Sequence, residues 1–169
     1  MDPNRLCYGV CRMIKILFLC HGNICRSPMA EFVMKDLVHK AGFEDAVVIE
    51  SAALHTDEIG SDTHYGTKEI LDRYQIPYEP RQARLAKRSD YEAFDYLIGM
   101  DKFNRRDMLY LFNNDPKDKT SLLMDWTGNP HDVADPWYTG NFEVTYDDVS
   151  AGCIALLEHV KRSVHRSQH

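Results

Sequence analysis

The stretch Ile14-Lys-Ile-Leu-Phe-Leu-Cys20-His-Gly-Asn-Ile-Cys25-Arg26-Ser27-Pro28 constrains the fold most, because an apolar run passes through a small polar turn straight into a helical pattern. Ala30, Val33, Met34, Leu37, Val38 and Ala41 recur at helical spacing, and Pro28 suits a first turn where its missing N–H is not needed. The reading is a strand, a tight loop and a helix start.

Such a junction builds an anion site by geometry. Successive loop N–H groups converge on one point, with the positive end of a helix dipole behind them. Arg26 adds a fork that can grip a tetrahedral oxyanion through two oxygens. The same field favours thiolate over thiol at Cys20. A thiolate facing a bound phosphate is a nucleophile, so the chemistry implied is attack of sulfur on phosphorus, giving a cysteinyl-phosphate that water then hydrolyses.

The rest of the chain reads as alternating strands and helices. Ala46–Ser51 reads as a buried strand, Ser61–Tyr74 as a helix, Phe94–Asp101 as a strand, then a helix through Leu111, a short strand at Ser121–Met124, and an amphipathic helix over Tyr146–Val164. Alternation of this kind predicts a parallel sheet with helices on both faces and a site beyond the carboxyl ends of the strands, where Cys20, Ser51 and Met100 fall. With 169 residues and 44% hydrophobic content, residues 13–165 are expected to form one domain with a substantial core. Residues 1–12 lack periodicity and are read as a disordered extension or a start-site artefact, with Met13 as the natural start; no signal-peptide core is visible there.

A net charge of -6 argues against a general nucleic-acid binder, and no apolar run is long enough to span a membrane. Five cysteines, at 7, 11, 20, 25 and 153, suggest a reducing cytoplasm rather than a disulfide framework, since the count is odd and a core is available. Cys153 shares a helical face with Val149, Leu156, Leu157 and Val160, and Cys20 and Cys25 lack a second ligand pair at zinc-like spacing. The basic patch Arg81, Arg84, Lys87 and Arg88 reads as a solvated face, or as one that steers anionic substrates.

The stretch from Cys20 to Pro28, with Asp135-Pro136-Trp137-Tyr138 far downstream, resembles the low-molecular-weight protein tyrosine phosphatases. The stretch from Phe94 to Asn104 resembles another of their segments. The resemblance implies a three-layer α/β fold whose four-stranded parallel sheet has order 2-1-3-4, with the phosphate loop between first strand and first helix. It implies phosphotyrosine or small aryl phosphates as substrates, phosphate and other oxyanions as competing ligands, no metal or other cofactor, and a monomer. His21, Gly22, Asn23, Ile24, Cys25 and Ser27 then form the phosphate loop, with Cys20 as nucleophile and Arg26 as phosphate clamp. Ser51 matches a serine that holds the loop asparagine, here Asn23, and Ser27 the hydroxyl near the sulfur. Asn23 is also a residue type that tolerates a left-handed backbone. The family usually adds a histidine to this network, and Tyr74 is its best match here.

Asp135 lies in a loop with two prolines and a glycine and reads as the general acid and later base; Asp132 is the rival carboxylate, better suited to capping a turn. Trp137 and Tyr138 would wall a slot for an aryl ring. Asp57 falls where relatives commonly place an aromatic wall and His21 where many carry an aliphatic residue; if both face the slot, Asp57 disfavours acidic flanks and a protonated His21 favours them. Cys25 is read both as a small residue packed under the loop and as a partner that traps oxidised Cys20 in a disulfide.

Three alternatives stay open. Arsenate reductases of the same fold pass oxidation to two mid-chain cysteines, which this chain lacks between Cys25 and Cys153. Phosphoarginine phosphatases tend to carry threonine where Ile24 stands. A phosphotyrosine-binding module without turnover would have no use for the combination of Cys20, Arg26 and Asp135.

Overall fold

The computed structural model describes residues 12–167, and the expectation for residues 1–12 lies outside them except at Arg12. Strand β1 (Ile14–Cys20) runs through the middle of the sheet, and its last five residues are buried. Ile16, Phe18 and Cys20 enter one core, while Leu17 and Leu19 enter the other, as the two-residue period of a strand requires. A strand buried on both faces reads as a continuous apolar run, which is why this segment was legible.

The sheet has order β2-β1-β3-β4. β2 (Val47–Ala53) and β3 (Tyr96–Gly99) flank β1, and β4 (Thr120–Leu122) pairs with β3; all neighbours are parallel. This is the expected topology. Helix α1 (Arg26–Lys40), α2 (Tyr65–Arg73) and the long C-terminal helix (Phe142–Ser167) contribute to the core that holds Phe18 and Ile98. Short α3 (Asp90–Ala93) and α4 (Lys102–Leu111) supply Tyr91 and Met108 to the opposite core. After α4 and β4 come a 3₁₀ turn (Leu123–Trp126) and short α5 (Pro136–Thr139), so the C-terminal helix is α6.

Several element bounds differ from the sequence reading. Residues 61–64 are not helical because their backbone groups are used elsewhere: Ala83 N donates to Ser61 O at 2.7 Å and His64 N to Ile24 O at 2.8 Å. The His64 ring then caps α2 by accepting from Gly66 N. The fourth strand ends at Leu122 and turns into the 3₁₀ segment, and α6 starts four residues early because Asn141 Oδ1 accepts from Val144 N at 3.1 Å.

The 3₁₀ segment and α6 meet at Gly152, where an added Cβ would lie 2.5 Å from Leu123 Cγ. Leu123 is fully buried, so it has little room to yield. Gly152→Ala is therefore expected to destabilise the protein by about 1–3 kcal/mol through overpacking, despite alanine's better helix propensity. Urea unfolding checks this; equal or greater stability would show that Leu123 moves freely.

Candidate active site

The loop from Cys20 to Arg26 is held from outside by its carbonyls. Leu54 N donates to Cys20 O at 2.9 Å, His55 N to His21 O at 3.0 Å, and His64 N to Ile24 O at 2.8 Å. Thr67 Oγ1 donates to Cys25 O at 3.2 Å. In a trans peptide the N–H points opposite to the C=O, so the amides of His21, Gly22, Cys25 and Arg26 face the other way. The loop is thereby set as an anion cradle at the start of α1.

Asn23 makes the turn possible. It is fully buried with φ 59°, a left-handed conformation tolerated best by glycine and asparagine. Its Nδ2 donates to Ser27 Oγ at 2.8 Å and to Ser51 Oγ at 2.9 Å. Ser27 Oγ lies 3.0 Å from Cys20 Sγ. Ser51 at Asn23 and Ser27 at the sulfur stand where the resemblance implied, and the Asn23 bond to Ser27 is additional. Tyr74 is not part of it: its hydroxyl bonds to Glu143 and its ring stacks on Tyr146 at 4.0 Å. The reason is placement, since Tyr74 caps α2 on the side that meets α6. Arg81 stands at Asn23 instead, with Nη2 donating to Asn23 Oδ1. Thus the basic patch is only partly a solvated face, because Arg84 also turns back to pair with Asp90 at 3.1 Å.

Arg26 is 2% exposed. Nη1 donates to Asp101 Oδ2 at 2.7 Å and to Val133 O at 3.0 Å, while Nη2 lies 3.4 Å from Asp135 Oδ2. Burial works against its charge, but the negative groups at Cys20, Asp135 and Asp101 prevail and raise its pKa above the ordinary value. Nε is buried without a hydrogen-bond partner. A buried guanidinium fixed on one edge and unpaired at Nε is a donor awaiting an acceptor.

Asp135 is the N-cap of α5, with Oδ1 accepting from Trp137 N at 3.1 Å. Asp132 is turned elsewhere, accepting from Lys102 N at 3.2 Å at the start of α4 rather than capping its own turn. Asp101, not singled out from the sequence, is placed at the carboxyl end of β3, where it caps α4 and grips Arg26. Its position on the strand-end rim was the available signal.

Above the loop opens a cavity of about 630 Å³ with Cys20, Ile24, Arg26 and Asp135 among its lining residues. Its other walls come from the segment after β2 (His55, Asp57, Glu58), from α4 (Phe103, Arg106, Asp107) and from Trp137 and Tyr138. Trp137 and Tyr138 are 61% and 84% exposed, so neither is consumed in packing the loop to the body. Asp57 and His21 form one unit, bonded at 2.6 Å, with the His21 ring stacked on His55 at 4.2 Å. The bond to His21 holds Asp57 below the usual carboxylate range. Their expected opposite effects on acidic flanks therefore fall on a single pair.

Cys25 packs with Ile24, Ala83 and Phe142. Burial, with the nearby Cys20 and Asp135 charges, pushes it up to about 12, so at neutral pH it stays a thiol. Among the described residues, no group of three or more His, Cys, Asp or Glu could hold a metal ion, and no helix is long and apolar enough to cross a membrane.

Fold and site together define an α/β protein with an anion cradle beside a buried cysteine at the end of its central strand. Comparison with known proteins narrows the class. The family of low molecular weight phosphotyrosine protein phosphatases matches residues 15–166. The low molecular weight protein-tyrosine-phosphatase YfkJ of Bacillus subtilis is 38% identical over 152 residues, spanning 89% of this chain and 97% of that one. PtpA of Staphylococcus epidermidis is 35% identical, spanning 88% of this chain and 94% of the relative. The crystal structure of YfkJ superimposes with a TM-score of 0.86 over 89% of this chain and 96% of its own. SP-PTP of Streptococcus pyogenes gives 0.78 at 40% identity over 87% of this chain and 93% of its own. The chain belongs to the low molecular weight phosphotyrosine protein phosphatase family, and it is a phosphatase of that fold.

Proposed function

We propose that the protein hydrolyses phosphotyrosine in peptides and proteins, and small aryl phosphates, through a cysteinyl-phosphate intermediate. The observation that carries this is the buried, partnerless Nε of Arg26, a residue that lines the same cavity as Cys20, beside a loop whose Cys20, His21, Ile24 and Cys25 carbonyls are tied outward. A phosphoryl oxygen accepts from Nε, others accept from the loop amides, and the phosphorus then faces the sulfur. Cys20 attacks as thiolate, the P–O bond to the leaving group breaks, and Asp135 gives its proton to the departing oxygen. The resulting carboxylate takes a proton from water as that water attacks phosphorus and the P–S bond breaks. Arg26 and the loop amides carry the charge of both in-line transition states.

The depth of the site sets the substrate class. Cys20 is 3% exposed, and the largely exposed Trp137 and Tyr138 flank the approach. A planar aryl ester reaches the sulfur while stacking on them, whereas phosphoserine is too short. Ile24 in the cavity lining presents an apolar side chain there rather than a hydroxyl. The relatives' names, low molecular weight protein-tyrosine-phosphatases, support the same reading.

The test is hydrolysis of matched phosphotyrosine, phosphoarginine and phosphoserine peptides by reduced protein in EDTA at mildly acidic pH. Selective phosphotyrosine turnover is expected. Faster phosphoarginine turnover would overturn the substrate assignment, and absence of turnover on all three would overturn the mechanism.

A further inference from the structure

Under the phosphate loop a chain of polar side chains runs from Cys20 to the flank of α1. Cys20 Sγ and Ser27 Oγ are 3.0 Å apart, and either could donate. Asn23 Nδ2 supplies hydrogens to Ser27 and to Ser51. Ser51 Oγ donates to Glu31 Oε1 at 2.5 Å, and Lys35 Nζ donates to Glu31 Oε2 at 2.6 Å. At the other edge of the amide, Asn23 Oδ1 receives Arg81 Nη2 and, at 3.3 Å, Arg84 N.

The two ends of this chain decide its direction. A guanidinium only donates, so Arg81 holds the Asn23 amide with its oxygen outward; reversed, its NH₂ would meet two donors. A carboxylate only accepts, so Glu31 takes the single hydrogen of Ser51 and leaves a Ser51 lone pair for Asn23. Both Asn23 hydrogens are then committed, one of them to a lone pair of Ser27. The Ser27 hydrogen is left free to point at sulfur.

We propose that Arg81 and Glu31 are positioning residues that fix the sense of this chain, so that Ser27 donates to Cys20 and holds it as thiolate. The inference rests on Cys20 as the nucleophile. Arg81 is an expensive residue to keep there: burial pushes its pKa down, and Arg81 Nη1 is buried with no partner. The negative charge of Glu31 is the first to offset that cost. Glu31 and Arg81 lie eight and 58 residues from Asn23 in the chain, so no local motif joins the three.

The experiment measures iodoacetamide alkylation of Cys20 by peptide mass spectrometry in the reduced, full-length wild type, Glu31→Gln, Arg81→Met and Arg81→Lys. Glutamine can donate to Ser51 and turn its hydroxyl round; methionine removes the lock on the amide. Both variants are expected to alkylate about 5- to 10-fold more slowly than wild type at about pH 6, yet as fast at about pH 9, where ionisation no longer limits. Arg81→Lys, which still only donates, should recover part of the loss. Rates unchanged at both pH values, or reduced equally at both, would overturn the proposal, since packing damage does not depend on thiol ionisation. If Arg81→Met does not fold, Glu31→Gln decides alone, because Glu31 sits beside Lys35 at the partly solvated end. The underlying reading fails separately: wild type that keeps phosphatase turnover after complete Cys20 alkylation would remove the nucleophile, and this inference with it.

Discussion

Cys20→Ser is expected to lose turnover by on the order of 10⁴-fold or more while binding inorganic phosphate as tightly as the wild type. The split follows from where the two functions reside. Phosphate is held by the loop amides and by Arg26, whose fixed edge depends on Asp101 and Val133 rather than on sulfur. The four carbonyl anchors from Leu54, His55, His64 and Thr67 are untouched by the change. Only the nucleophile is altered, from a polarisable sulfur to a hydroxyl whose proton its hydrogen-bond neighbour is not set to take: Ser27 already accepts from Asn23 and has one hydrogen to give. Steady-state kinetics on an aryl phosphate, with phosphate binding followed by calorimetry, checks both halves. Residual activity within tenfold of wild type would remove sulfur from the mechanism; loss of phosphate affinity would mean that Cys20 shapes the loop rather than reacting in it.

The central strand and its loop were legible because their signals are local. A run buried on both faces, a polar turn and a proline in the first turn of a helix are each written within a few residues. The parallel sheet followed from alternation, while its order came from the resemblance, and both agree with the structure. Supports that reach across the chain were harder to read. Ser51 could be matched at a strand end, but Arg81 could not, because the residues between it and Asn23 include a helix whose packing decides which cation returns to the loop. The same is true of Glu31, which looks like any surface glutamate of an amphipathic helix until β2 brings Ser51 to it. Tyr74 failed as a match for the related reason that a residue's register in a helix, not its type, sets its direction. Asp101 was within the recognised stretch, yet its grip on Arg26 appears only when β3 is laid beside β1, whose end leads into α1.

Asp135→Asn should separate leaving groups. The substitution keeps an oxygen at Oδ1, so the bond from Trp137 N that starts α5 survives and the loop stays in place. What is lost is a proton donor beside the departing oxygen. Phenyl phosphate, whose leaving group needs that proton, is expected to slow by about 10²–10³-fold, and p-nitrophenyl phosphate by about tenfold, because its phenolate leaves nearly unaided. The neighbouring carboxylates cannot stand in. Asp101 has Oδ2 on Arg26 and Oδ1 on Asn104 N, and Asp132 is turned to Lys102 N. Asp132→Asn is the control and should leave the ratio of the two rates at the wild-type value. Should both esters slow equally in Asp135→Asn, the proton must come from another group, and Asp135 would be left with the α5 cap and its contact to Arg26. A steep dependence confined to Asp135 would instead assign it the proton in the first step, and a matching loss in hydrolysis of the cysteinyl-phosphate, read as a larger burst of released phenol, would assign it the water in the second.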